Sequence, residues 1–373
     1  MRIRGETQNT KRRESGSGRK RQIRAVHVLK TYKHLWEQLI TEENFQLAMK
    51  RSQKKKKNKR PVRTFNKNPE ANLEAVRQSV IQGTFHTAAY IEKKIYEPKE
   101  RMIYKLPYNP DRIVQHAIMN ILEPIFLNLM IENTYACVKG RGPHKASLKT
   151  SEMVRKYKYC LKCDIRKFYP SINQKILSEK LHRIIKDDKF MALVDDVIFS
   201  FPGGHNCPIG NYLSQWFGNY YLTFLDNFVL HELKPKGYIR YCDDFMLYGN
   251  DKKKLNQDKE RIRDFLKDEL ELEFSKAEVF STKQGVDFCG YRHFKKYVLI
   301  RKNTSQRLKR RYRRIEKKLE SGNFDLQKIR GQVASGKGLT KHACTYHLRK
   351  SIHQDDLWNK IQQETEKERK EEP

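Results

Sequence analysis

The sequence has no window of about 18 uncharged apolar residues, the length that a bilayer-spanning helix needs. Its first residues, Met1-Arg2-Ile3-Arg4-Gly5, lack the apolar core of a secretory signal. A soluble, cytoplasmic protein without membrane contact is expected. Cysteine is too scattered for a disulfide framework: the seven, at 137, 160, 163, 207, 242, 289 and 344, are odd in number and fit reduced thiols. Cys160 and Cys163 have CxxC spacing, but no second CxxC or close His/Cys pair supplies the remaining ligands of a zinc site. No internal repeat is present. Acidic residues are the scarcer charge, 44 against 78 Lys and Arg. The formal charge of +34 calls for a polyanionic partner, nucleic acid first.

At roughly 100–200 residues per domain, 373 residues allow two or three domains. A hydrophobic share of 38% is too high for a wholly disordered basic chain, and a mean hydropathy of −0.86 implies extensive solvated surface. Residues 1–24 read as a disordered basic arm. Residues 25–63 read as a helical extension in which Val28, Leu29, Tyr32, Leu35, Trp36, Leu39 and Ile40 recur at helical spacing. The cationic run from Lys50 to Arg60 is either a solvated loop or a grip on phosphates. A further helix is expected to open with Asn109 as N-cap, Pro110 at its first position and Asp111 on the dipole, with Ile113, Val114, Ala117, Ile118, Ile121 and Leu122 along one face.

From Tyr157 to Ile165 the pattern alternates: Tyr159, Leu161 and Cys163 on one face of a strand, Lys158, Cys160, Lys162 and Asp164 on the other. After a loop at 201–208, apolar doublets from 212/213 to 228/229 predict one long, deeply packed helix. The β-prone runs Tyr238–Tyr241 and Phe245–Tyr248 flank Cys242, Asp243 and Asp244, a hairpin with carboxylates at its tip. Beyond Asn303 a basic helix runs to near Gly322, and residues 356–373 read as a frayed tail. In so cationic a chain, Asp164 at a strand end and Asp243-Asp244 at a hairpin tip suggest carboxylates joined by a hard divalent cation, a metal that works with one or two carboxylates and substrate phosphates.

The words around these residues resemble the reverse transcriptase family. Asp111-Arg112-Ile113-Val114-Gln115-His116-Ala117 is similar to its second block, Asp164-Ile165-Arg166-Lys167-Phe168-Tyr169-Pro170-Ser171-Ile172 to its first catalytic block, and Tyr241-Cys242-Asp243-Asp244 to the YxDD box. Phe274-Ser275-Lys276 and Phe288-Cys289-Gly290-Tyr291 resemble the following blocks. Where most members carry QGxxxSP, this chain has Ile209-Gly210-Asn211-Tyr212-Leu213-Ser214-Gln215, an IGxxxSQ pattern that resembles the enzymes of diversity-generating retroelements.

The resemblance implies an α+β right-hand polymerase, with fingers and an antiparallel-sheet palm over 64–300 and a helical basic thumb over 301–355. It implies an RNA-directed DNA polymerase that copies a template-repeat RNA into cDNA with errors at template adenines, using dNTPs and two Mg²⁺ ions, with Mn²⁺ as a substitute. The implied metal ligands are Asp164, Asp243, Asp244 and the Ile165 carbonyl. The nucleotide would meet Arg101 (Lys99 or Lys94 being alternatives), Phe168, Tyr169 beneath the sugar, Ile209, Gly210 and Lys276. Gln215, Tyr241, Gly290, Tyr291, Arg307, Arg310, Arg311 and Arg314 would meet template and primer. A small, basic, oligomeric accessory variability protein is the implied partner. The chain is too short for an added RNase H or endonuclease domain, so other proteins are expected to remove template and nick DNA. A retron or group II intron type enzyme and a non-catalytic basic RNA-binding scaffold are the competing readings.

Overall fold

The computed structural model describes residues 30–96, 100–322 and 324–371, so the basic arm expected at 1–24 lies outside the described residues. The chain enters through α1 (Leu35–Leu39), α2 (Glu42–Gln53), α3 (Arg60–Phe65) and α4 (Pro69–Ile81). The Thr41 hydroxyl starts α2 by accepting the Asn44 N–H at 3.2 Å, the usual work of an N-cap. A hairpin of β1 (Ile91–Ile95) and β2 (Arg101–Lys105) follows, then α5 (Ile113–Leu129). Leu35, Leu39, Phe45 and Ala48 share one apolar core with Ile113, Ala117 and Leu122 of α5. Asn44 ties α2 to α5 through the Ala117 carbonyl (3.3 Å) and the Asn120 amide (2.8 Å). The N-terminal helices are therefore built into the main body, and the boundary expected at 63/64 falls inside α3.

The start of α5 departs from expectation. Residues Tyr108–Arg112 form a wide π-type turn, Asn109 is extended (φ −109°, ψ 125°), and regular helix begins only at Ile113. Asp111 does not face solvent at a helix end; it is buried, and its carboxylate accepts the Ala88 N–H at 2.9 Å. Satisfying this partly buried backbone donor outweighs the dipole interaction available to an exposed aspartate.

After α6 (Pro143–Lys156) the chain builds a four-stranded antiparallel sheet from β3 (Tyr159–Ile165), β4 (Gly237–Tyr241), β5 (Asp244–Gly249) and β6 (Phe274–Ser281), in the spatial order β4-β5-β3-β6. Between β3 and β4 lie α7 (Phe168–Ser171), α8 (Gln174–Ile184), α9 (Asp188–Phe199), α10 (Tyr212–Tyr221) and α11 (Thr223–Phe228). The single long helix expected over the apolar doublets is interrupted at Leu222, and residues Val229–Leu233 continue in π form. Both faces of the sheet are covered. Leu161, Cys163, Phe245 and Leu247 pack into the main core, whereas Cys160, Ile239, Met246 and Tyr248 pack into a second cluster with α6. Cys160 and Cys163 thus belong to opposite faces, which prevents their convergence on one ion.

Helix α12 (Lys252–Leu270) returns the chain to β6, and β7 (Val286–Phe288), β8 (Tyr291–His293) and β9 (Val298–Ile300) form a small antiparallel sheet. The last four helices, α13 (Lys302–Glu320), α14 (Leu326–Thr340), α15 (Tyr346–Ser351) and α16 (Gln354–Glu371), close a separate core of Leu308, Tyr312, Ile315, Ile329, Val333, Leu357 and Ile361. Most of the tail expected over 356–373 is helix instead: α16 continues to Glu371, and Leu357 and Ile361, four residues apart, form an apolar stripe against α14. A thin seam joins this unit to the sheet: the Tyr291 hydroxyl on the Leu339 carbonyl (3.1 Å), the Cys344 N–H on the Val298 carbonyl (2.7 Å), and His144 stacked on His342 (3.8 Å).

His116 on α5 is buried and stacked on Tyr212 at 4.0 Å, with Nδ1 unpartnered. Burial, reinforced by the charges of Arg112, Lys56 and Arg51, holds its pKa down at about 3. The unfolded ring titrates near 6.5, so between these values the unfolded chain binds a proton that the folded one refuses. Stability is complete above about 6.5 and is lost as pH falls toward 3. His293, held at about 4 mainly by burial, adds in the same direction. His116→Phe is expected to lose less stability than wild type between pH 7 and pH 5 in urea titrations; equal losses would exclude His116 as the source.

Candidate active site

The first carboxylate lies far from the other two in sequence, and strand register brings them together. β3 and β5 run antiparallel with Asp164 directly opposite Asp244, and Tyr241 pairs with Asp244 across the tight turn Cys242-Asp243. Cys242 turns the chain with a positive φ of 58°. The three acids feel one another. Desolvation, then the charge of Asp164, raises the Asp243 pKa above the ordinary carboxylate value, and the cation of Arg101 opposes the rise. Burial holds Asp244 at about 6, against the pull of Lys162. Lys162 Nζ stands 3.5 Å from Asp244 Oδ2 and also donates to the Asp287 carbonyl at 2.6 Å, while Asp244 Oδ1 is buried without a hydrogen-bond partner. Asp164 accepts a short hydrogen bond from the Ser275 hydroxyl.

Among the described residues no group of three or more His, Cys, Asp or Glu side chains converges to hold a metal ion. The donors that suit a hard divalent cation are the mutually repelling Asp164 and Asp243. They fit a divalent-cation site completed by non-protein oxygens better than an all-protein cage. Asp244 is instead engaged by Lys162.

Beneath the turn lies a buried ion pair. Arg240 and Asp226 are both fully buried, with Nη2 and Nε of the guanidinium donating to the two carboxylate oxygens at 2.6 and 2.8 Å. The Tyr238 hydroxyl donates to Asp226 at 2.8 Å, and Arg240 Nη1 donates to Asn219 Oδ1 at 3.1 Å and to the Cys242 carbonyl at 3.2 Å. The guanidinium therefore holds the carboxylate turn from below.

Beside the turn, Phe168 is buried and Tyr169 half-buried in the short α7, with the Tyr169 hydroxyl 3.4 Å from Cys242 Sγ. Ile209 and Gly210 meet the β1–β2 hairpin: the Tyr104 N–H donates to the Ile209 carbonyl at 2.7 Å. Gly210 has a φ of 117°, and a Cβ there would overlap the Tyr104 carbonyl oxygen and lie 2.8 Å from Ile103 Cγ2, so only glycine fits. Arg112 donates to the Gly210 carbonyl at 3.3 Å. Arg101 is exposed at the start of β2, opposite Ile95. Of its alternatives, Lys94 is paired with Glu100 at 2.6 Å, and Lys99 lies outside the described residues. Lys276 sits opposite Asp164 on β6, exposed and paired with Glu278 at 3.1 Å.

A family model described as reverse transcriptase (RNA-dependent DNA polymerase) matches residues 91–293, more than half of the chain. The chain belongs to the reverse transcriptase family. It is 25% identical over 170 residues to nuclear intron maturase 4, mitochondrial, of Arabidopsis thaliana, covering 43% of this chain but only 21% of that protein. It is 22% identical over 276 residues to protein YkfC of Escherichia coli K12, covering 60% of this chain and 71% of that one. Among solved structures, apo telomerase from Candida tropicalis superposes with a TM-score of 0.45 at 13% identity, over 74% of this chain and 62% of that one. The reverse transcriptase has a right-hand polymerase fold with an antiparallel sheet, and the matched residues span the β1–β2 hairpin, the four-stranded sheet and the strands β7 and β8, while α13–α16 lie beyond them.

The residues expected to meet template and primer divide between surface and interior. Arg307, Arg310, Arg311 and Arg314 are exposed along α13, whose opposite face buries Leu308, Tyr312 and Ile315. Gln215 is exposed on α10. Tyr241 is half-buried, edge-on to Phe288, and the Gly290 carbonyl accepts the Arg301 N–H at 3.0 Å. Tyr291 is buried with its hydroxyl committed to Leu339, so it packs the seam instead of presenting itself to a duplex. Sequence reasoning missed Arg240, Asp226 and Ser275 as parts of the site. The alternation of β3 did place Lys162 on the Asp164 face, the one available signal.

Asp226→Ala strands the buried Arg240 guanidinium. It is expected to cost about 3–5 kcal/mol of stability, read from the denaturation midpoint; a loss below about 1 kcal/mol would show that the pair does not hold the turn.

Proposed function

We propose that this reverse transcriptase is the RNA-directed DNA polymerase of a diversity-generating retroelement, making adenine-mutagenised cDNA from a template-repeat RNA. The observation that carries this reading is Ile209-Gly210-Asn211-Tyr212-Leu213-Ser214-Gln215, seated where the fingers hairpin meets the body. A Gln in place of Ile209 would offer amide hydrogen bonds to steady the nucleotide; a branched apolar side chain offers none. Losing one positioning contact of about 1–3 kcal/mol relaxes discrimination by roughly ten- to a hundredfold.

The reaction is attack of the primer 3′-hydroxyl on the α-phosphate of a dNTP, with pyrophosphate leaving. Asp164, Asp243 and the Ile165 carbonyl would hold divalent metal, which supplies Lewis-acid charge for the attacking and leaving oxygens. Arg101, whose charge already reaches Asp243, is placed to grip the triphosphate with a planar fork. Tyr169 lies beneath the incoming sugar and excludes a 2′-hydroxyl. Lys276 is near enough to the Asp164 strand to neutralise the leaving pyrophosphate. The exposed arginines of α13 track the RNA/cDNA hybrid through its phosphates, an affinity that falls with rising salt because counterion release becomes less favourable. The same excess of positive charge suits template RNA, whereas an accessory variability protein would have to supply selectivity for one transcript.

The similarity to nuclear intron maturase 4 favours a second reading, an intron-associated enzyme. The two separate on errors. Full-length Ile209→Gln is expected to lower misincorporation opposite template adenine by about tenfold, measured by sequencing primer-extension products; an unchanged adenine error rate removes the retroelement assignment. Asp243→Asn is expected to cut dNTP incorporation on primed RNA by at least about 10³-fold while RNA binding persists. Wild-type incorporation by this variant would leave only the scaffold reading.

A further inference from the structure

Gly218 lies in the middle of α10, fully surrounded by protein, where glycine weakens a helix relative to alanine. Its surroundings explain it. A Cβ at this position would stand 3.0 Å from Tyr169 Cε1 and 3.1 Å from Phe168 Cε1, tighter than ordinary contact on both rings. Tyr169 also reaches the turn between β4 and β5, with its hydroxyl 3.4 Å from Cys242 Sγ. The main chain of Tyr169 is fixed separately, its carbonyl accepting the Cys207 N–H at 2.9 Å. The ring is thus held between a helix with no side chain at the contact and a thiol at the catalytic turn. Burial keeps both partners protonated: it raises the Tyr169 hydroxyl far above its ordinary range and the Cys242 thiol to about 12. One hydrogen bond between neutral groups joins them.

We infer that Gly218 and Cys242 are positioning residues for sugar discrimination: together they set how far the Tyr169 ring projects toward the incoming nucleotide. The inference rests on the reading of Tyr169 as the ring beneath the sugar. It adds that the depth of this pocket is set from behind by α10 and from the side by the second residue of the YxDD box. The two changes then act with opposite sign. A methyl on Gly218 pushes the ring away from α10 into the cleft and narrows the pocket. Loss of the Cys242 thiol frees the ring to swing aside and widens it.

The experiment measures kcat/KM for dGTP and for GTP with the full-length protein on primed poly(rC), taking their ratio as the discrimination. That ratio is independent of how much of each preparation is folded. Cys242→Ala is expected to lower the ratio about fivefold, the worth of one neutral hydrogen bond, and Cys242→Ser, which keeps a hydroxyl for Tyr169, to stay within about twofold of wild type. Gly218→Ala is expected to raise the ratio about threefold or more, with a higher KM for dGTP. Parallel loss of both activities at an unchanged ratio in Gly218→Ala and Cys242→Ala would overturn the inference. Tyr169→Ala separates it from its foundation: an unchanged ratio there refutes the sugar-exclusion reading itself, whereas a collapsed ratio with unaffected Gly218 and Cys242 variants refutes only their positioning role.

Discussion

A single guanidinium, that of Arg240, organises the centre of this molecule. Removing its charge and that of Asp226 from water is costly and is offset only by complete pairing. The site supplies that pairing: both carboxylate oxygens, the Asn219 amide oxygen and the Cys242 carbonyl accept from Arg240, and Tyr238 donates to the carboxylate. The backbone of Arg240 is tied as well, its N–H to Asn133 and its carbonyl to the Tyr135 N–H. Helix α11, strand β4 and the chain before α6 therefore meet at one residue, two positions from the turn that carries Asp243. A turn with a positive-φ cysteine and two like charges resists its own geometry, and this buried network holds it in place.

Charge is distributed against the trend of the sequence. Cations dominate the surface, yet the sheet concentrates Asp164, Asp243 and Asp244 at one edge of the cleft, where desolvation and mutual repulsion raise the Asp243 and Asp244 pKa values. Lys162 compensates Asp244 from the same face of the sheet. What remains under-compensated is the pair Asp164 and Asp243, the local demand for positive charge that a polyphosphate bound with its metal would answer.

Much of the fold was legible from periodicity. The alternation from Tyr157 to Ile165 identifies β3, the two β-prone runs identify the β4–β5 hairpin, and the apolar spacing from Ile113 to Leu122 identifies the buried face of α5. Local patterns also locate Asp164 near a strand end and Asp243 at a turn. Patterns carry no information about register, however, and it is the pairing of Asp164 with Asp244 that brings the acids together. The Arg240–Asp226 pair left no trace in the sequence, because its members sit in different elements and a buried charge reads as a solvated one until its partner is known. The same failure of range explains Asp111, drawn inward by Ala88, and α16, whose Leu357 and Ile361 acquire meaning only against α14. The sequence pattern also ran α10 and α11 together, since apolar doublets continue through the break at Leu222.

The seam between the sheet and the last four helices has a mechanical consequence. Their core is closed on itself, and among the described residues the Tyr291 to Leu339 and Cys344 to Val298 hydrogen bonds and the stacked imidazoles span the joint. Beside that core, these ties across the joint are few and polar. A polyanion bound to the exposed α13 arginines and to the sheet at once would add interface across the joint, and a ligand that binds only one arrangement stabilises it by mass action. On the proposed polymerase reading, tenacity on the template would belong to the product as much as to the protein, weakest at initiation and strengthening as the strand lengthens.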